Sequence, residues 1–249
     1  MFNANETING LTTWIRDWFE TNGPGATAVV GISGGKDSTV VATLLARALG
    51  TKRVHGVIMP DGKMKDFLIA KDVIEHLGIK WSVVDISHAV NGLYKGLGGT
   101  AKDMPEMARV NTPARMRMST LYAIAAGFPN GGRVANTCNL SEDWIGYATK
   151  FGDGAGDFSP LSNLTVTEVR QIGHALGLPA KWVDKTPEDG LCGLTDEESF
   201  GFTYDILDRY IRTGEIDDPK LGKRIDKMRA ANRHKLEFMA QFNPNLCTK

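Results

Sequence analysis

The sequence predicts an α/β fold, a doubly wound parallel sheet with helices on both faces. Three observations lead there. Short apolar runs rich in Val and Ile alternate with longer stretches whose apolar residues recur at helical spacing. The alternation keeps a β–α–β order, which a parallel sheet with crossover helices accommodates. Gly50 and Gly78 close two of the helical stretches, where a left-handed residue ends a helix.

Taken in order, Leu11, Trp14, Ile15, Trp18 and Phe19 mark an opening helix that ends near Asn22–Gly25. Residues 27–33 read as a buried strand and 37–49 as a helix stopped by Gly50. Residues 53–59 form the second strand, 65–77 a helix ending at Gly78, and 79–86 the third strand. After a Gly-rich passage (Gly92, Gly96, Gly98, Gly99), helix resumes over 111–126, and 133–138 gives a fourth strand. The segments 148–160 and 185–197 are long for passive connections and point to function.

A length of 249 residues suits a single domain over 1–249. Lys plus Arg equals Asp plus Glu at 29 each, so no basic face is expected, and nucleic acid is not expected as a partner. The start, MFNANETING, has neither the charged nor the apolar region of a signal peptide. No apolar run approaches the roughly 20 residues of a membrane span. Cys138, Cys192 and Cys247 are scattered and odd in number, which argues against disulfides and a zinc site. The expectation is a soluble cytoplasmic protein.

Residues 31–38 read GISGGKDS. Gly31 and Ile32 end the first strand, Ser33, Gly34 and Gly35 make a tight turn with bare amides, and Lys36, Asp37 and Ser38 open a helix. Such a turn and helix N-terminus favour anions. The Walker A pattern fails, because Lys36 is followed by Asp37 rather than Ser or Thr. Taken alone, the stretch also reads as a tight turn capped by Ser33. The carboxylate argues for a metal–nucleotide site, since Asp37 beside phosphates is repulsive unless a divalent cation bridges them. Mg²⁺ suits that role, taking few carboxylates and filling its shell with phosphate oxygens and water.

SGGxDS after a first strand resembles the loop of the ATP pyrophosphatase superfamily, which splits ATP into AMP and pyrophosphate. The superfamily includes synthetases of NAD, GMP, asparagine and argininosuccinate, and tRNA-modifying enzymes. The resemblance implies a Rossmann-like, adenine nucleotide alpha hydrolase-like fold.

A second stretch, TCNLSEDWIGYATKFGDGAGDFSPL (137–161), reads as a strand end, a short helix carrying Glu142 and a polar Gly-rich loop. With ARMRMSTLYAIA before it and DEESFGFTYDILDRYI after it, it resembles the ammonia-dependent NAD synthetase family. The resemblance runs from about residue 10 to residue 236. It implies that deamido-NAD, ATP and ammonia give NAD, AMP and pyrophosphate through an acyl-adenylate. It further implies a homodimer with dinucleotide sites at the subunit interface.

Residue by residue, the resemblance assigns ATP to the loop Gly31–Ser38, with Thr137 a further contact. Asp37 and Glu142 become the Mg²⁺ ligands. Arg117, Lys150, Asp157, His234 and Lys235 become contacts to deamido-NAD; alone, the His234–Lys235 pair reads as a solvated helix end. Arg115 and Arg117, two apart on a helix, point to different faces. Asp153 is the candidate to hold ammonium and take its proton. Two positions depart from the family pattern at its ATP contacts. Val166 stands where many members have Lys, and Glu188 follows Pro187 where many have Ser or Thr. Lys36, in the variable position of SGGxDS, is expected to return the lost cation to the phosphates, with Lys185 as the alternative. Rival readings are another enzyme with this loop, such as a tRNA-modifying one, and a nucleotide sensor without catalysis. The neutral chain argues against the first, and the presence of both carboxylates against the second.

Overall fold

The computed structural model describes residues 2–185, 196–242 and 244. Its elements are α1 (Ala4–Asn22), β1 (Thr27–Gly31), α2 (Lys36–Leu49), β2 (Val54–Ile58), α3 (Phe67–Leu77), β3 (Lys80–Val83), α4 (Ser87–Gly96) and α5 (Glu106–Ala126). They continue with β4 (Gly132–Val134), α6 (Leu140–Ile145), α7 (Val166–Ala175), α8 (Ala180–Val183), α9 (Asp196–Phe200), α10 (Tyr204–Thr213) and α11 (Pro219–Asn232). The sheet has the order β3-β2-β1-β4, and its pairs are parallel. Crossovers therefore run outward from β1 in both directions, and a cleft opens beyond the carboxyl end of β1, the usual place for a ligand.

The middle of β1, Ala28–Val30, is apolar because both its faces are covered. Ala28 and Val30 enter a cluster with Phe19 of α1, Leu44 of α2 and Ile172 of α7. Val29 faces the other way, into a cluster with Val57, Val90 of α4 and Ala125 of α5. A third cluster joins Ile145, Val166, Tyr204, Leu207 and Ile225, and thereby seats α6, α7, α10 and α11 against one another. No helix among the described residues is long and apolar enough to cross a membrane.

The expected elements are present with shorter strands. β3 stops at Val83 and β4 at Val134; the chain after β4 keeps one parallel pairing, Ala135 with Phe158, and then turns into the site. α5 begins at Glu106 rather than 111 and takes Pro113 into its interior, giving up one backbone bond there. In α1, Phe19 is fully buried, while Trp14 remains 42% exposed beside Phe158.

Phe19 packs its ring edge-on to both Trp18 and Phe158, with centroids 5.3 Å apart in each case. We expect Phe19→Ala to cost about 3–5 kcal/mol, read as a lower urea midpoint with an unchanged slope. A loss below about 1 kcal/mol would show that α1 is not part of the cooperative core.

Candidate active site

The turn after β1 is built for close approach. The Ile32 amide still donates to Val57 O (2.9 Å), and Gly34 then adopts φ +84°, where a side chain would also press on Asp66. The Gly35 amide donates to Ser33 Oγ at 3.2 Å, and Ser38 Oγ donates back to Gly35 O at 3.2 Å. Gly35 is the N-cap of α2 and brings no side chain to it, so the helix start stays open to an anion.

Asp37 lies in the first turn of α2, and its Oδ1 accepts from Asn139 Nδ2 at 3.2 Å. Asn139 is fully buried and caps α6, its Oδ1 accepting from the Glu142 amide at 3.1 Å. One amide side chain thus ties Asp37 to the helix turn that carries Glu142. The donor chemistry fits a hard divalent cation: one carboxylate from each of two helix starts, with room for other oxygens. Among the described residues no group of three or more His, Cys, Asp or Glu offers a rival site.

Lys36 is turned inward, onto its neighbour in the helix. Its side chain is 2% exposed, and Nζ lies 2.9 Å from Asp37 Oδ2 and 5.8 Å from the centroid of the Tyr204 ring. Burial alone would lower its pKa, but the charges of Asp37 and Glu142 outweigh burial, so the ammonium is held above its ordinary range. Lys185 pairs with Asp66.

Beyond the turn lies a cavity of ≈ 1000 Å³, lined among others by Ser33, Ser38, Arg117, Thr137, Asp153 and Lys235. Arg117 donates from Nε to Met59 O at 3.1 Å; burial lowers its pKa, against the charges of Asp61 and Asp153. Arg115 instead reaches Lys150 O (3.3 Å), so the two arginines do separate. Asp153 Oδ1 accepts from the Thr149 amide (2.9 Å), and its carbonyl accepts from Asn136 Nδ2 (2.8 Å). Lys150 Nζ donates to the His234 carbonyl, and Lys235 Nζ donates to Gly146 O at 2.7 Å. The Gly-rich loop and the turn after α11 are therefore clasped together at the cavity, while the exposed His234 ring rests on Ala231 O at 3.2 Å.

Asp37, Glu142, Lys150, His234, Asp157 and Val166 do not line this cavity, and the last two are committed elsewhere. Asp157 accepts from the Val134 amide (2.7 Å) and from Tyr122 Oη (3.3 Å), in a separate hollow between α5 and β4. Burial and then the Asp157 charge push the Tyr122 phenol up to about 12. Val166 was expected at an ATP contact, but its side chain is wholly buried in the third apolar cluster. Helical spacing turns it inward, so the side chain offers the cavity nothing. Glu188 lies outside the described residues.

Sequence reasoning did not single out Asn136, Asn139 or Asp143. Burial pushes Asp143 up to about 6, with Asp153 adding to the shift and a Ser162 hydrogen bond opposing it. The two asparagines carried one legible signal: Asn139 stands three residues before Glu142, the spacing of an N-cap to its third helical residue.

Comparison with known proteins gives a consistent picture. Residues 7–239 match the family described as NAD synthase. The chain is 40% identical over 237 residues to the NH3-dependent NAD+ synthetase of Carboxydothermus hydrogenoformans, covering 94% of this chain and 95% of that one. The protein of the same name from Methanococcus aeolicus is 39% identical over 224 residues, 88% of this chain and 86% of its own. Among solved structures, the NMN synthetase from Francisella tularensis matches 99% of this chain and 100% of its own, with a TM-score of 0.87 and 31% identity.

Replacing Asn139 with Ala removes both the α6 cap and the tie to Asp37. The expected cost is about 1–2 kcal/mol of stability, measured by urea unfolding. Unchanged stability would mean that the bridge contributes nothing to the fold.

Proposed function

The chain belongs to the NAD synthase family, and from that premise we propose that it amidates deamido-NAD with ammonia. ATP is split to AMP and pyrophosphate in the process. The observation that carries the reading is the meeting of the anion-favouring turn, Arg117, Asp153 and Lys235 around one cavity, with Asp37 in the helix turn that follows and tied through Asn139 to the helix start that bears Glu142.

A pyridine carboxylate is a poor electrophile, since ammonia would have to expel oxide from an anionic centre. Attack of that carboxylate on the α-phosphorus of ATP gives a mixed anhydride and releases pyrophosphate; ammonia then displaces AMP. The open amides of the turn at Gly35 hold phosphate oxygens as negative charge moves onto the leaving group. Asp37 and Glu142 would hold Mg²⁺, which when bound neutralises that charge. Arg117 and the clasped Lys150 and Lys235 supply cations along the acceptor nucleotide. Asp153 presents a carboxylate that attracts ammonium and takes its proton. The nitrogen source is free ammonia, and two copies of the chain form the working dimer.

A second reading concerns the acceptor alone. The Francisella relative is named for NMN rather than NAD, and Asp157, expected on the dinucleotide, has its carboxylate engaged outside the cavity. On this reading the acceptor is the mononucleotide.

Incubation with ATP, Mg²⁺ and ammonium, with deamido-NAD and nicotinic acid mononucleotide in parallel, tests both. We expect the higher kcat/KM with the dinucleotide; a preference for the mononucleotide exchanges the acceptor, and no amidation of either refutes the reading. Glutamine freed of ammonia should give no product with this chain. Asp37→Asn should lower pyrophosphate release at least a hundredfold, about 2.7 kcal/mol of barrier, in a folded protein. Turnover retained by that variant would remove Asp37 from the metal site.

A further inference from the structure

A buried ammonium at the first turn of a helix is an unusual placement. The helix N-terminus carries partial positive charge and disfavours a cation there, and burial of an unpaired ammonium costs several kcal/mol. Lys36 is nonetheless the first residue of α2, with 2% of its side chain exposed. Its Nζ is seated 2.9 Å from Asp37 Oδ2. The other oxygen of that carboxylate is held by Asn139, whose own Oδ1 caps the turn bearing Glu142. The ammonium therefore stands against the carboxylate pair assigned to the metal, within electrostatic reach of both members. The charge of Arg170, which has a buried Nε without a hydrogen-bond partner, acts on the same spot with the same sign as Lys36.

We propose that Lys36 is a built-in counter-ion that keeps a divalent cation off Asp37 and Glu142 until a triphosphate arrives. The inference rests on the metal assignment under Proposed function. Its logic is one of charge. Two carboxylates against the ammonium leave at most a single net negative charge, before Arg170 is counted, and a divalent cation overcompensates it. A triphosphate supplies the missing anionic charge and gives the ammonium another partner, so metal and nucleotide enter together. A metal ion admitted alone would fill the turn with water and ions before the substrate came.

The test measures metal alone, by electron paramagnetic resonance of Mn²⁺ without nucleotide. Wild type is expected to bind Mn²⁺ only weakly. Lys36→Met should tighten that binding at least tenfold, and Lys36→Gln, which keeps a polar tip, should do so in the same direction. Lys36→Arg retains the charge and should stay like wild type. A gain of binding is not what simple damage to the fold produces. Unchanged Mn²⁺ affinity in both neutral variants overturns the proposal while leaving the metal assignment intact. If the gained site persists in the double variant Lys36→Met, Asp37→Asn, the metal lies elsewhere, and the assignment falls together with the proposal.

Discussion

The site depends on what a buried amide demands of its surroundings. Asn139 has no exposed surface, so both ends of its side chain must find partners or cost the fold the desolvation of each. Nδ2 finds Asp37 at the start of α2, and Oδ1 finds the Glu142 amide at the start of α6. These helices follow different strands of the sheet and would otherwise be free to shift against each other. The amide fixes both helix starts, and with them the two carboxylates. Two carboxylates from distant parts of the chain keep a fixed relation only where a strut of this kind joins their helices.

The strut is itself supported from behind. Asp208 of α10 is buried and accepts from Ser141 Oγ and from the Thr167 amide and hydroxyl. Ser141 in turn accepts from the Val166 amide at 3.0 Å, so the N-terminus of α7 is satisfied by a residue of α6. Glu168 continues the pattern, accepting from its own capping residue Thr165 and from Arg212 of α10. Ser141, Glu168 and Asp208 are thus paired across three helices, and such networks specify a single arrangement where apolar packing alone would tolerate several.

Much of this was legible in the sequence where the signal is local. The turn Ser33–Gly35, the helix opening at Lys36–Asp37 and the carboxylate at Glu142 follow from residue types at fixed spacing, and the βαβ order follows from periodicity. The clasp of Lys150 to the His234 carbonyl spans 84 positions, and only the family resemblance put these residues in one region. The inward seat of Lys36 was not legible, because the neighbouring carboxylate pairs with it only in the geometry of the helix start and the aromatic ring comes from Tyr204, far along the chain. At Val166 the position was weighed by its charge, whereas the structure shows its side chain on the buried face of the helix. Asp208 and Asn139 carry roles that exist only once the helices have met.

Cys138 sits in the middle of this arrangement, its Sγ donating to Asp153 O at 3.3 Å. Burial first, and then the charges of Glu142, Asp153 and Asp143, push its thiol well above the ordinary range. Thiolate is the form that reacts with disulfides, alkylating agents and peroxides. The thiol is thus doubly sheltered, by lack of access and by lack of ionisation, and its modification has to await a local opening of the turn that holds Asp153. The rate at which a thiol reagent consumes Cys138 therefore clocks the breathing of the loop that carries Asp153, with no label added to the chain.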